Sequence, residues 1–275
     1  MNPRPFGDPG RLVAPLGLGT WNMEQDDRAS AIAALRHGVE LGLTHVDTAE
    51  MYGSGRVEEI VGEALRGVRD RVFLVSKVLP SNATAEDTVR ACERSLSRLG
   101  TDRLDSYLLH WPSEHPLEGT IRGFEKLLKA GKIRSYGVSN FDVRGMEEAV
   151  RLAGQGRIAC NQILYHLAER TVEHQVLPWS ETRGIAVVAY SPLGARHFPS
   201  GRALEAVAAA RRATPRQIAL AFLIRRKSVF VIPKTSSVRH VEENAAAAGI
   251  ALTDDEVRRL DAAFPPGPWR GLATA

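Results

Sequence analysis

The stretch that decides the fold runs from Val72-Phe-Leu-Val-Ser-Lys77, through an amphipathic segment over residues 85–99, to Ser106-Tyr-Leu-Leu-His110. A short β-rich apolar run, a longer helix-like run and a second apolar run form one strand–helix–strand unit. The first run is apolar almost throughout, as a strand covered on both faces should be. Working outward, the same rhythm repeats in both directions. Strand-like runs fall at 16–19, 44–47, 72–77, 106–110, 133–139, 158–162, 185–191 and 229–234. Helix-like runs lie between them at 27–41, 55–66, 85–99, 116–130, 143–153, 172–183, 201–211 with 215–225, and 238–248. Eight strands each followed by a helix is the count that closes a parallel barrel, so the expected class is α/β, a (β/α)8 TIM barrel, rather than an open doubly wound sheet. Thr214-Pro-Arg-Gln217 and Thr253-Asp-Asp-Glu256 both read as capping boxes, and the second opens an extra C-terminal helix over 253–264. Residues 2–15, punctuated by proline and glycine, are expected to form a short N-terminal hairpin that plugs the barrel bottom. No linker or low-complexity tract interrupts the pattern, and residues 1–275 read as one domain.

Composition narrows the function. The 275 residues are 44% hydrophobic and 25% charged, ordinary values for a globular chain. Thirty-six basic residues face 32 acidic ones, for a net charge of +4, and no block of like charge occurs. Nucleic acid is therefore not an expected partner. Cys92 and Cys160 form no CxxC pair, which points away from a disulfide framework or thiolate metal site and towards a reduced, cytoplasmic protein. No leader-like apolar segment and no run of about 18 apolar residues is present, so no membrane partner is expected. A monomer is expected.

Strand after strand ends on a side chain that can ionise or hydrogen-bond: Asp47, Lys77, His110, Asn140 after Ser139, Gln162, Ser191 and Lys234. In a closed parallel barrel these ends meet on the C-terminal rim, where barrel enzymes build their sites. Polar residues also mark ordinary strand ends, yet a lysine and an aspartate there are costly unless paired, and Lys77 and Asp47 are natural partners. Tyr52, five positions after Asp47, can fold back over the mouth towards Lys77. A nearby ammonium lowers a phenol's pKa from about 10, which suits a tyrosine proton donor. Asp47 would keep Lys77 charged, and His110 would present a nitrogen to the same substrate oxygen. A tyrosine or histidine alone at such a place is ordinary; together the four form a constellation for giving a proton to a carbonyl oxygen.

With these residues in view, the chain resembles the aldo-keto reductases over essentially its whole length. The resemblance is carried by Leu16-Gly-Leu-Gly-Thr-Trp21, Asp47-Thr-Ala-Glu-Met-Tyr-Gly53, Val75-Ser-Lys77, Leu108-Leu-His-Trp111, Gly137-Val-Ser-Asn-Phe141, Asn161-Gln162, Ala189-Tyr-Ser-Pro-Leu193, Val231-Ile-Pro-Lys234 and Glu243-Asn244, in family order. It implies a catalytic tetrad of Asp47, Tyr52, Lys77 and His110, in agreement with the strand-end argument. It also implies a nicotinamide cofactor held without a Rossmann fold, and no GxGxxG follows any strand. Ser139, Asn140 and Gln162 would hold the carboxamide, Tyr190 would stack beneath the ring, and Ser191, Pro192, Leu193 and Gly194 would follow the pyrophosphate. Thr20, Trp21, Asp47, Glu243 and Asn244 would also contact the cofactor. Lys234, Thr235 and Ser236 precede a helix start, a suitable geometry for the 2′-phosphate of NADP. Where many members carry an arginine six positions after Lys234, this chain has His240, a weaker anion partner, so NADPH is preferred while NAD stays open.

Trp21, Met51, Tyr52, His110 and Trp111 would line the substrate pocket, with contributions from the loop 194–200 and Trp269. The spans after Trp111 and Pro265 are short, which implies an open pocket for a small carbonyl compound, and the sequence is most similar to bacterial members that reduce small aldehydes such as methylglyoxal. No metal is required. Two other readings compete: a barrel aldolase with Lys77 as Schiff-base nucleophile, and a cofactor-binding sensor or regulatory subunit with little turnover.

Overall fold

The computed structural model of the chain describes residues 2–7, 10–194 and 197–274. Eight parallel strands follow one another around a ring: β3 (Gly17–Gly19), β4 (His45–Asp47), β5 (Phe73–Val78), β6 (Ser106–Leu109), β7 (Tyr136–Ser139), β8 (Ile158–Leu164), β9 (Ala186–Tyr190) and β10 (Val229–Val231). Parallel bridges Leu16 to Val231 and Gly19 to Lys234 join the last strand to the first and close the barrel. The Gly19 amide donates to Pro233 O at 3.1 Å and the Val231 amide to Pro15 O at 2.8 Å. Outside the ring lie α1 (Arg28–Glu40), α2 (Arg56–Ala64), α3 (Ala85–Leu99), α4 (Leu117–Lys129), α5 (Val143–Ala153), α6 (Val176–Glu181), α7 (Arg202–Ala210), α8 (Pro215–Ile224) and α9 (Val238–Ala246). This is the expected (β/α)8 barrel.

The hairpin is present as β1 (Arg4–Phe6) paired antiparallel with β2 (Arg11–Val13). It closes the bottom by inserting Phe6, whose ring lies 4.8 Å from Phe73, 5.0 Å from Phe230 and 5.7 Å from His45, centroid to centroid. These rings and Val75, Leu108, Val188 and Ile232 make a core inside the barrel, and a larger core fills the space between strands and helices. Asp105 ties the hairpin to the ring, pairing with Arg11 and with Arg69 at 2.9 Å and accepting from the Leu74 amide at 2.9 Å.

The extra helix α10 (Asp254–Ala263) starts at the Thr253 capping box as expected. Arg170 latches it, reaching Asp261 at 2.7 Å and Phe264 O at 2.8 Å. Two elements depart from expectation. The helix expected over 172–183 is a single 3₁₀ turn at Thr171–Glu173 and then the six-residue α6, because Pro178 lacks an amide donor and is tolerated only in a first turn. The run expected over 133–139 is strand only from Tyr136, with a register shift between Tyr136 and Val138, and Ile133 keeps one isolated bridge to Leu104. No helix among the described residues is long and apolar enough to cross a membrane.

Candidate active site

The C-terminal ends of the strands gather the polar side chains on one rim. Asp47 ends β4 facing into the barrel and is anchored twice. Its Oδ1 accepts from Lys77 Nζ at 2.5 Å and its Oδ2 from Gln162 Nε2 at 2.8 Å, across the ring from β8. Lys77, wholly buried on β5, also donates to Thr48 O at 2.9 Å and lies 3.2 Å from Tyr52 Oη.

The loop after β4 brings Tyr52 there by a sharp reversal. Gly53 and Ser54 are left-handed (φ 56° and 55°), and Gly55 (φ 93°) starts α2. A side chain on Gly53 would sit 2.7 Å from Glu24. Glu50 pins the loop from the other side, accepting from the Leu79 amide and Asn82 Nδ2, each at 2.9 Å. His110, at the end of β6, packs edge-on to Tyr52 with ring centroids 5.7 Å apart, and its buried Nδ1 has no hydrogen-bond partner among the described residues.

Electrostatics distinguish these groups. Burial alone depresses the Lys77 ammonium, but Asp47 and Tyr52 together outweigh it and leave its pKa above the usual value. Burial pushes the Tyr52 phenol above 10, and the opposing pull of Lys77 does not cancel it. The expected net lowering of this phenol is therefore corrected: removal from water dominates the nearby charge. Burial first, and Lys77 second, push His110 down to about 2, so its imidazole is neutral at any working pH.

Further along the rim the chain is held in uncommon backbone conformations. Asn140 (φ 62°) and Ser191 (φ 48°) are left-handed without being glycine, at the exits of β7 and β9. The Asn140 amide donates to Gln162 O at 2.8 Å, its Nδ2 to His110 O at 3.3 Å and Ser139 Oγ at 3.2 Å, and its Oδ1 accepts from Tyr190 Oη at 2.9 Å. Ser139 Oγ donates to Gln162 O at 2.8 Å. A cleft opens over this network, with half-exposed Trp21, Met51 and Trp111 at its mouth.

Residues 15–264 match the aldo/keto reductase family. The chain belongs to this family. It is 46% identical over 257 residues to the methylglyoxal reductase YeaE of Escherichia coli (strain K12), covering 91% of this chain and 90% of that protein. A crystal structure of an aldo/keto reductase from Klebsiella pneumoniae in complex with NADP and acetate superposes with a TM-score of 0.94 at 43% identity, with full coverage of both chains. Another from the same organism, in complex with NADPH, gives 0.94 at 44% identity, again covering both chains entirely.

Within this aldo/keto reductase barrel, the residues singled out from sequence separate by their place relative to the cleft. Thr20, Trp21, Asp47, Met51, Tyr52, His110, Trp111, Ser139, Asn140, Gln162, Tyr190, Ser191 and Lys234 line the cleft, and Lys77 stands directly behind Tyr52. Thr235, Ser236, His240, Glu243 and Asn244 lie beyond its edge, on the approach to α9 and along it. Pro192, Leu193 and Gly194 form the turn leaving β9, with the Gly194 amide donating to Ser191 O at 2.9 Å. Trp269 does not reach the cleft; it is half-buried against the outer core, because the tail after α10 runs over that surface. Residues 195 and 196 of the loop 194–200 lie outside the described residues, and none of the rest lines the cleft, Gly194 being tied to it only through its bond to Ser191. Sequence reasoning missed Gly19 and Ile232, which line the cleft, and Asp26, which pairs with Lys234. Gly19 had a readable signal, since a glycine inside a strand marks close approach: a Cβ there would stand 2.4 Å from Ile232 O.

Proposed function

We propose that this enzyme reduces small aldehydes and ketones to alcohols with NADPH, Tyr52 giving the proton to the carbonyl oxygen. The observation that carries the reading is the buried chain Asp47–Lys77–Tyr52, with contacts of 2.5 and 3.2 Å, opening into the cleft that a neutral His110 also lines. When bound, NADPH supplies the hydride to the carbonyl carbon, and a proton from Tyr52 Oη completes the alcohol. Lys77 stabilises the phenolate left behind, and Asp47 keeps Lys77 charged and oriented. Tyr52 carries the proton to be given at neutral pH, Lys77 offsets part of the cost that burial puts on releasing it, and donors placed before charge develops favour the transition state over the ground state.

The donor set fits a dinucleotide. The Ser139 and Asn140 side chains are bonded to each other, Ser139 Oγ also bonds the Gln162 backbone carbonyl, and with the Gln162 side-chain amide they offer both donors and acceptors to a carboxamide. Tyr190 lines the cleft, and Lys234, Thr235 and Ser236 collect beside the start of α9, where an anion is favoured. NADP complexes of the Klebsiella reductases and the methylglyoxal activity named for the Escherichia coli relative support the cofactor and a small aldehyde substrate. So does the open mouth formed by Trp21, Met51 and Trp111. Schiff-base chemistry at Lys77 is disfavoured by its pairing, since an amine nucleophile must be neutral.

Replacement of Tyr52 by Phe tests the reading. NADPH oxidation with methylglyoxal is expected to slow by about 10²-fold or more, with NADPH binding retained. Turnover equal to that of the unaltered protein would remove Tyr52 from the acid role.

A further inference from the structure

Lys234 and Ser236, two groups assigned to the 2′-phosphate, already share an anion supplied by the chain itself. The Lys234 ammonium pairs with Asp26 Oδ2, and Ser236 Oγ donates to the same oxygen at 2.6 Å. Both charged side chains are about one third exposed, at 32% and 31%. Arg239, the next cation along, is matched by Glu243 at 3.5 Å. Both of these positive charges therefore face a carboxylate before any cofactor arrives.

Asp26 is not a loosely tethered surface residue. It closes the 3₁₀ turn Met23–Gln25 that follows β3, its amide donating to Met23 O at 3.2 Å, and the turn opens at Asn22 in the left-handed conformation (φ 59°). The next residue, Asp27, caps α1 by accepting from the Ser30 amide at 2.8 Å. The backbone of Asp26 is thus fixed from both sides, and only its side chain can yield. As a contribution to folding, an exposed pair of this kind is worth little. Its consequence for a ligand is larger: a phosphate that needs Lys234 must either displace the Asp26 carboxylate or approach it as a like charge.

We propose that Asp26 is a cofactor-specificity residue, a built-in competitor for the 2′-phosphate at Lys234 and Ser236 that narrows the preference for NADPH over NADH. The inference rests on the assignment of Lys234 to that phosphate. Only a dinucleotide carrying the phosphate has to break the pair; one with a 2′-hydroxyl can bind beside it.

The test is titration of the purified protein with NADPH, NADH, 2′,5′-ADP and 5′-ADP, followed by tryptophan fluorescence, with Trp21 in the cleft as a reporter. In Asp26→Asn, NADPH and 2′,5′-ADP are expected to bind about tenfold more tightly, while NADH and 5′-ADP change by less than about twofold. Unchanged or weaker NADPH binding, or equal tightening of both nucleotides, overturns the proposal. Lys234→Ala separates the two levels of the argument. It should weaken the phosphorylated ligands selectively, and combined with Asp26→Asn it should abolish the gain. An equal loss for all ligands in Lys234→Ala removes the phosphate assignment and this inference with it. A selective loss there with no response to Asp26→Asn removes the inference alone.

Discussion

Among single residues, Asp47 binds the most of the site together, because its two carboxylate oxygens serve different partners: Lys77 on one side and Gln162 on the other. Asp47→Asn keeps the shape but turns an NH₂ towards one of two donors, leaving a buried ammonium or amide unmatched. Removing one member of a buried ion pair costs about 3–5 kcal/mol, so both the thermal midpoint and kcat should drop, the latter by about 10²-fold. Unchanged turnover in a stably folded Asp47→Asn protein would show that Lys77 needs no counter-ion to support Tyr52. The identity of these residues was legible in the sequence because each ends an apolar run, a pattern set by strand length and barrel closure alone. What they do to one another was not. The raised pKa of Tyr52 and the depressed one of His110 follow from burial that no local pattern reports. Asp26 was out of reach for a simpler reason: it lies 208 positions from Lys234, in a turn with no catalytic signature.

Individual elements were legible where the chain carries its own punctuation. α3 and α5 start and stop where expected, each with an N-cap side chain, Thr84 or Asp142, bonded to the amide three residues on, and each followed by a glycine. The short α6 was misjudged because its apolar spacing continues across residues that cannot all be helical. The hairpin was expected from punctuation, but the glycine that makes it a plug shows itself only in contact. Gly7 (φ +68°) lies so close to β8 that a Cβ would stand 2.4 Å from Ala159 O, whereas at Gly10 (φ +67°) in the same hairpin a Cβ would meet nothing nearer than 3.6 Å among the described residues. Alanine at either position meets the left-handed penalty of about 1–2 kcal/mol, and alanine at 7 adds an overpacking cost of about 1–3 kcal/mol. Urea unfolding should therefore rank Gly7→Ala well below Gly10→Ala. Both should retain aldehyde reduction, because the hairpin sits at the end of the barrel opposite the cleft. Equal destabilisation of the two would mean that the plug yields and does not seal the barrel.

Across the whole molecule, the barrel interior is divided: a polar layer at the C-terminal rim serves the site, and an aromatic layer at the bottom closes the core. His45 sits at the join, on the same strand as Asp47, wholly buried among Phe6, Phe73 and Phe230, and neither ring nitrogen is hydrogen-bonded to any of the described residues. Burial is the main cause that takes its pKa down to about 4; Lys77 adds to this, and Asp47 and Asp105 oppose it. In the unfolded chain the same imidazole titrates near its ordinary value of about 6.5. Between these two values the unfolded state binds the proton and the folded state does not, so stability rises with pH through that window. The contribution is complete above about pH 6.5 and is lost as pH falls towards 4, a change of about 3 kcal/mol from this residue. His110 adds a slope of the same sign that extends lower, since its folded value is about 2. His45→Phe, which completes the aromatic layer, should flatten the part of the curve between pH 6.5 and 4 and leave the His110 part in place. The measurement is the urea midpoint of the wild-type and variant proteins at half-unit pH steps. Identical slopes in the two proteins would show that His45 is already protonated in the folded barrel or finds a partner there, and the division of the interior into a wet rim and a dry floor would have to be redrawn.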